Sequence, residues 1–160
     1  MIIEYEDKYL EDVKDLLVEL EEYIISIDAD HLDQIHEDYR DKMAILDLNE
    51  VKENNGKCYL YIESNKVVGL IMGIIPPYDK YDYLDYKCPK RGEITELIVS
   101  NKIRSKGIGQ QLMKKMEEYF KTQGCKYIKT EVFGYNDNAL KFYFKQNYHA
   151  RMLDIIKKID

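Results

Sequence analysis

A strand-forming apolar run, Ile94 to Val99, leads into Ser100-Asn101-Lys102-Ile103-Arg104-Ser105-Lys106-Gly107-Ile108-Gly109, and a helical run from Gln110 to Lys121 follows. A strand that feeds a glycine-bearing, cationic turn and then a helix can hold a phosphate. The backbone N–H groups at the helix N-terminus have no helical partner, and the helix dipole is positive there. Gly107 and Gly109 let the backbone approach an anion closely, and Lys102, Arg104 and Lys106 add positive charge. Taken alone, the stretch would serve equally well as a plain strand-to-helix connection. It lacks the Gly-Lys-Ser/Thr ending of a Walker loop and the three spaced glycines of a dinucleotide fingerprint. Cys58, Cys88 and Cys125 are odd in number and widely spaced, and His31, His36 and His149 form no ligand cluster. Free thiols in a reducing compartment, and no metal, are expected.

Stepping outward along the chain, Ile2 to Tyr5 reads as a short strand and Asp7 to Ile25 as an amphipathic helix, with Leu10, Val13, Leu16, Leu17, Leu20, Tyr23 and Ile24 at three- and four-residue spacing. A second, less regular helix is predicted between Leu32 and Leu48. Lys57 to Glu63 and Lys66 to Ile75 form a predicted hairpin turning at Ser64-Asn65, with Gly69 and Gly73 marking bulges or close backbone approach. A long polar connection rich in Tyr and Asp runs from Tyr78 to Arg91. Then come the strand Gly92 to Val99, the turn, a helix from Gly107 to Gln123 capped by Gly124, a strand from Tyr127 to Val132, a helix from Asn136 to Gln146, and a final strand from Tyr148 to Ile159.

The 160 residues fit one domain, 1–160, with a real core. The net charge of −6 is uneven: residues 1–54 hold 18 acidic and 5 basic side chains, and the remainder 12 and 19. This suits a cationic substrate on one side and an anionic cofactor on the other. A pI near 5.2 disfavours nucleic acid. No apolar run approaches a membrane span and no leader pattern opens the chain, so a soluble, cytoplasmic protein is expected.

The order of elements resembles the GNAT superfamily of N-acetyltransferases, and two motifs carry the likeness. Arg104-Ser105-Lys106-Gly107-Ile108-Gly109 fits the family's Arg/Gln-x-x-Gly-x-Gly/Ala pyrophosphate turn, with Leu97-Ile98-Val99 at the usual offset before it. Asn136-Asp137-Asn138-Ala139-Leu140-Lys141-Phe142-Tyr143 fits the Asn-x-x-Ala-x-x-Phe-Tyr pattern of the next helix. Asn147-Tyr148 stands where Gly-Phe is commoner. The resemblance implies an α/β (α+β) single-domain fold, a mixed, mostly antiparallel sheet of about six strands flanked by helices. It also implies acetyl-CoA as cosubstrate, its pyrophosphate held by the backbone of Arg104, Ser105, Lys106, Gly107, Ile108 and Gly109. The pantetheine arm would pair with the backbone of Leu97 and Val99 like an added strand, and Asn136 would offer it a side-chain amide.

Acetyl transfer needs a neutral amine, and an alkyl ammonium has a pKa near ~10, so a proton must leave. Glu93 and Glu96 are the candidate bases. Strand alternation predicts that they lie on opposite faces, and the resemblance favours Glu93. Tyr143 stands at the family's position for the acid that protonates the departing CoA thiolate. Direct transfer is favoured over an acyl-cysteine on Cys58 or Cys125. The expected function is acetylation of a primary amine on a cationic small molecule or peptide, the partners being acetyl-CoA and the amine, with a homodimer left open. The alternative is a non-catalytic acyl-CoA sensor that regulates a partner.

Overall fold

A computed structural model of the chain describes residues 1–103 and 106–159. Five strands, β1 (Ile2–Glu4), β2 (Lys57–Glu63), β3 (Lys66–Ile74), β4 (Arg91–Val99) and β5 (Tyr127–Thr130), lie side by side in chain order. The first three pairings are antiparallel and β4–β5 is parallel. The β2–β3 hairpin closes through Ser64 and Asn65, both left-handed at φ 50° and 60°, the two-residue turn whose twist matches the strands it joins.

Four helices cover the sheet: α1 (Leu10–Ile27), α2 (Tyr39–Glu53), α3 (Ile108–Thr122) and α4 (Asp137–Lys145). One face buries Val13, Leu16 and Leu17 of α1 and Ala44 and Val51 of α2 against Leu60, Leu70, Met72, Ile74 and Ile98. The other buries Ile108, Leu112, Met113, Met116 and Phe120 of α3, with Tyr143 of α4, against Tyr59, Val68, Ile71 and Ile94. Phe120 lies so close to the sheet that a Cβ on Gly92 would stand 2.5 Å from its ring. Glycine at 92 is therefore a condition of the α3–β4 packing. Among the described residues no helix is long and apolar enough to cross a membrane.

Two expectations are corrected. The second helix starts at Tyr39, not near Leu32. The Asp28 carboxylate accepts hydrogen bonds from the N–H groups of Asp30, Leu32 and Asp33, which diverts those donors into a loop. The final strand does not form: Tyr148 to Ile159 belongs to no sheet, so among the described residues there are five strands and not six. Its β-type residues have no neighbouring strand to pair with, and propensity without a partner makes no ladder. The tyrosine-rich connection between Ile74 and Arg91 is present and is held at its base, where the Tyr78 hydroxyl donates to Pro89 O at 2.7 Å.

Candidate active site

Gly107 stands at the N-terminus of α3 in the left-handed conformation, φ 71°, which an L side chain resists. Its carbonyl accepts from the Gln111 N–H at 3.1 Å, so the first-turn N–H groups of Ile108, Gly109 and Gln110 point out of the helix end without helical partners. That end fits a pyrophosphate. The expected contributions of Arg104 and Ser105 lie outside the described residues. Lys106 is beside the turn, with its ammonium on Glu63 at 3.0 Å. Glu19 of α1 fixes the start of the turn, accepting from Ser100 Oγ at 3.1 Å and from the Asn101 N–H at 2.6 Å.

The parallel pairing of β4 with β5 runs only from Arg91–Tyr127 to Ile94–Thr130. Beyond it, β4 continues through Leu97 and Val99 with no strand on that edge among the described residues. The backbone there is open to an extended ligand, as expected for a pantetheine arm.

The expectation that Glu93 and Glu96 lie on opposite faces is corrected by a β-bulge. Met72 pairs with Glu96 and Gly73 with Ile94, leaving Thr95 as the extra residue. Glu93 then stands opposite Ile74 and Glu96 opposite Met72, and both of those partners point into the α1–α2 core. Cross-strand partners share a face, so both glutamates point the same way.

Their surroundings differ. Glu93 is held between Arg91 at 3.7 Å and Lys129 at 3.4 Å. Glu96 has no cationic partner among the described residues, and burial pushes its carboxyl up to about 8, with Asp47, Glu21 and Glu50 adding repulsion. Burial, with Glu50 adding, raises Asp47 to about 6, and its Oδ2 is buried with no hydrogen-bond partner. Burial, with the charges of Glu21 and Glu96 adding, also raises Tyr39. Glu21, Tyr39 and Asp47 escaped the sequence reading. A signal existed: Glu21 lies four residues past Leu17 on the buried stripe of α1, and Asp47 lies between Ala44 and Val51 on that of α2.

Tyr143 is 8% exposed and lies in the α3–α4 core, its ring edge-on to Phe142 at 5.4 Å and to Tyr148 at 5.4 Å. Burial raises its pKa and the Glu96 charge adds to this, while the Thr130 hydroxyl pulls the other way. It is a protonated donor near neutral pH. Thr130 ends the β4–β5 pairing, so Tyr143 lies where the two strands part. Asn136 caps α4, its Oδ1 accepting from the Ala139 N–H at 3.1 Å and from Tyr23 Oη at 3.4 Å. Its NH₂ is the group left to offer a ligand. Burial pushes the Cys58 thiol up to about 12 and raises Cys125, so neither is a ready nucleophile.

Residues 16–148, which include the turn, the strand and the Asn136–Tyr143 helix, match the Acetyltransferase (GNAT) family. The chain belongs to the GNAT acetyltransferase family. An uncharacterised N-acetyltransferase of Methanocaldococcus jannaschii is 34% identical to this GNAT chain over 98 residues, 60% of this chain and 55% of the relative. The chain thus spans about half the length of that curated relative. Among solved structures, a tetramutant of the BH1408 protein from Bacillus halodurans superposes with TM-score 0.83 at 16% identity over 99% of both chains. A Trypanosoma brucei acetyltransferase superposes with TM-score 0.67 at 16% identity over 99% of both chains. The aminoglycoside N-acetyltransferase AAC(6')-Iy in complex with CoA does so with TM-score 0.70 at 12% identity, over 100% of this chain and 99% of that one. At these identities the likeness establishes the GNAT fold alone.

Proposed function

We propose that the chain transfers an acetyl group from acetyl-CoA directly to a primary amine of a cationic small molecule or peptide, with Glu96 as the base and Tyr143 as the acid. The observation that carries this reading is the bulge at Thr95. It turns a largely desolvated glutamate, without a cationic partner among the described residues, toward the α1–α2 side of the opening between β4 and β5, where a buried tyrosine approaches from the α3–α4 side.

The first turn of α3 and Gly107 would hold the pyrophosphate, and Leu97 and Val99 would pair with the pantetheine arm. The acceptor's ammonium is drawn to the acidic group formed by Glu21, Asp47, Glu50 and Glu96. Its proton passes to the Glu96 carboxylate, whose pKa of about 8 suits a base working near neutral pH. The freed nitrogen lone pair attacks the thioester carbonyl carbon, the C–N bond forms and the nitrogen gives its second proton to water, the C–S bond breaks, and the thiolate takes the Tyr143 phenol proton. The tyrosinate regains a proton from solvent. The likeness to the CoA-bound aminoglycoside enzyme supports a CoA site in the same fold and a cationic acceptor class.

The test follows thiol release from acetyl-CoA across a panel of polyamines, aminoglycosides and peptide amines. Tyr143→Phe and Glu96→Gln are each expected to lower kcat by about 10²–10⁴-fold, the usual worth of a positioned acid or base. Full activity in both variants would refute the roles. CoA binding by calorimetry without thiol release from any amine would refute the enzyme reading and support a sensor.

A further inference from the structure

The tyrosine-rich connection closes over a cavity of about 360 Å³ at the foot of β3 and β4, lined by Ile75, Pro77, Tyr78, Cys88, Lys90 and Arg91 among others. Cys88, left-handed at φ 47°, turns the connection back toward β4, and the Tyr78 hydroxyl ties its two ends by donating to Pro89 O at 2.7 Å. The Tyr78 ring in turn carries the Arg91 guanidinium, whose Cζ lies 4.2 Å from the ring centroid. A guanidinium stacked on a fixed ring is held in one orientation, so little freedom is lost when its fork of N–H donors meets a planar anion.

That fork is under-used within the chain. Arg91 Nε is buried without a hydrogen-bond partner among the described residues, and Glu93 Oε2, at 3.7 Å, is too far to be one. Glu93 is shared with Lys129, at 3.4 Å. Lys90, exposed beside Arg91, adds a second positive charge to the same wall. The Asp82 and Asp85 carboxylates bear on Cys88, so an anion's place is against Lys90 and Arg91. A buried donor without an acceptor is costly, and a carboxylate brought to the fork supplies the acceptor.

The guanidinium shares a face of the sheet with Glu96. A Cβ on Gly92 would meet Phe120 of α3, so its neighbours Arg91 and Glu93 project from the other face, the α1–α2 side on which Glu96 lies. The row along β4 therefore changes sign, cationic at Lys90 and Arg91 and acidic at Glu96 with Asp47, Glu21 and Glu50. Discounting the bulged Thr95, four strand steps separate Arg91 from Glu96, about 13 Å at ~3.3 Å per step. An extended peptide covers that length in about four residues. A polyamine or an aminoglycoside satisfies the acidic end and leaves the guanidinium unmatched. A peptide with its amine at Glu96 and a carboxylate at Arg91 satisfies both.

We propose that the acceptor is a short peptide whose carboxylate binds Arg91 and Lys90 in this cavity while its amine, about four residues away, reaches Glu96. The proposal rests on the acetyl-transfer reading above and narrows its acceptor class.

Thiol release from acetyl-CoA is followed with tetra-alanine, with its C-terminal amide, with the amide of trialanyl-aspartate and with the diamine putrescine. A carboxylate-bearing peptide should exceed tetra-alanine amide in kcat/KM by roughly 10–100-fold, the usual worth of a charge-assisted pair, with the difference in KM. The free acid and the aspartate amide tell a terminal carboxylate from a side-chain one. Arg91→Gln should erase the ratio, and Lys90→Gln, at an exposed position where folding is not in question, should reduce it several-fold. Arg91→Lys keeps the charge without the fork and should retain part of it. Equal use of the amide and both carboxylate peptides, a ratio that persists in Arg91→Gln, or release with putrescine alone would overturn the carboxylate site and leave acetyl transfer standing. No thiol release from these acceptors or from the wider amine panel would overturn both.

Discussion

Glu96 carries a largely desolvated carboxyl with no cationic partner among the described residues, and this has a consequence for stability as well as for catalysis. Its folded pKa of about 8 lies above the ordinary 4.5, so between those values the folded chain keeps a proton that the unfolded chain has lost. Stability contributed by this group therefore falls as pH rises from about 4.5 to about 8, the reverse of a salt-bridged acid. Glu96→Gln should melt higher than the parent above about pH 8, by roughly 1–3 kcal/mol, and the gap should close below about pH 4.5. Differential scanning calorimetry across that range checks it, and an equal gap at every pH would remove the titration from the explanation. In activity, the alkaline-rising limb governed by the base should follow the same group and disappear in Glu96→Gln. Glu93, fixed between Arg91 and Lys129, should contribute less to that limb: Glu93→Gln is expected to keep the parent's pH profile.

Among the elements, β4 does the most to position the site, and two local features of it are open to test. Gly92 admits Phe120 of α3 against the strand, where an added methyl would stand 2.5 Å from the ring. Gly92→Ala should lower stability by about 1–3 kcal/mol through overpacking, measured as a shift in urea midpoint at unchanged slope. The bulge at Thr95 sets which face each later and earlier residue of β4 presents. Deleting Thr95 would remove the bulge and leave Glu93 and Glu96 two positions apart, still on one face in simple alternation, so a chain that remains folded by circular dichroism should keep the pH dependence of thiol release. The loop from Asp28 to Asp33 is a third positioned piece, closed by three N–H donors on one carboxylate that hold its pKa below the usual range. Asp28→Ala should speed amide exchange at Asp30, Leu32 and Asp33 selectively.

On the scale of the molecule, the acidic residues 1–54 lie mainly in α1 and α2, on one face of the sheet, and the phosphate-type turn opens α3 on the other. In the proposed function the sheet would separate a cation-attracting side from an anion-holding end, and the parting of β4 from β5 would join them. A ligand held at that opening stabilises the folded state by linkage. CoA at about 100 times its Kd should raise stability by roughly 2.7 kcal/mol, and Gly107→Val, which strains φ 71°, should abolish most of that gain. A thermal shift unaltered by Gly107→Val would place CoA elsewhere.

Local features were legible in the sequence because local chemistry specifies them. The hairpin turn at Ser64-Asn65, the left-handed Gly107 ahead of a strongly amphipathic α3, and the Asn136 cap four residues before Leu140 depend on neighbours within a few positions. The family likeness followed from two such local motifs. What only the tertiary structure decided are relations between distant strands and helices. Whether Glu93 and Glu96 share a face depends on how many residues of β4 oppose Met72 and Gly73, a count that β4 alone does not contain. The acidity of Glu96 depends first on its desolvation beneath the helices and then on Asp47 and Glu21, brought beside it by two helices remote in sequence. The final strand failed for the same reason. Residues 148–159 have a strand's composition, but a strand exists only where another backbone lies beside it, and among the described residues none does.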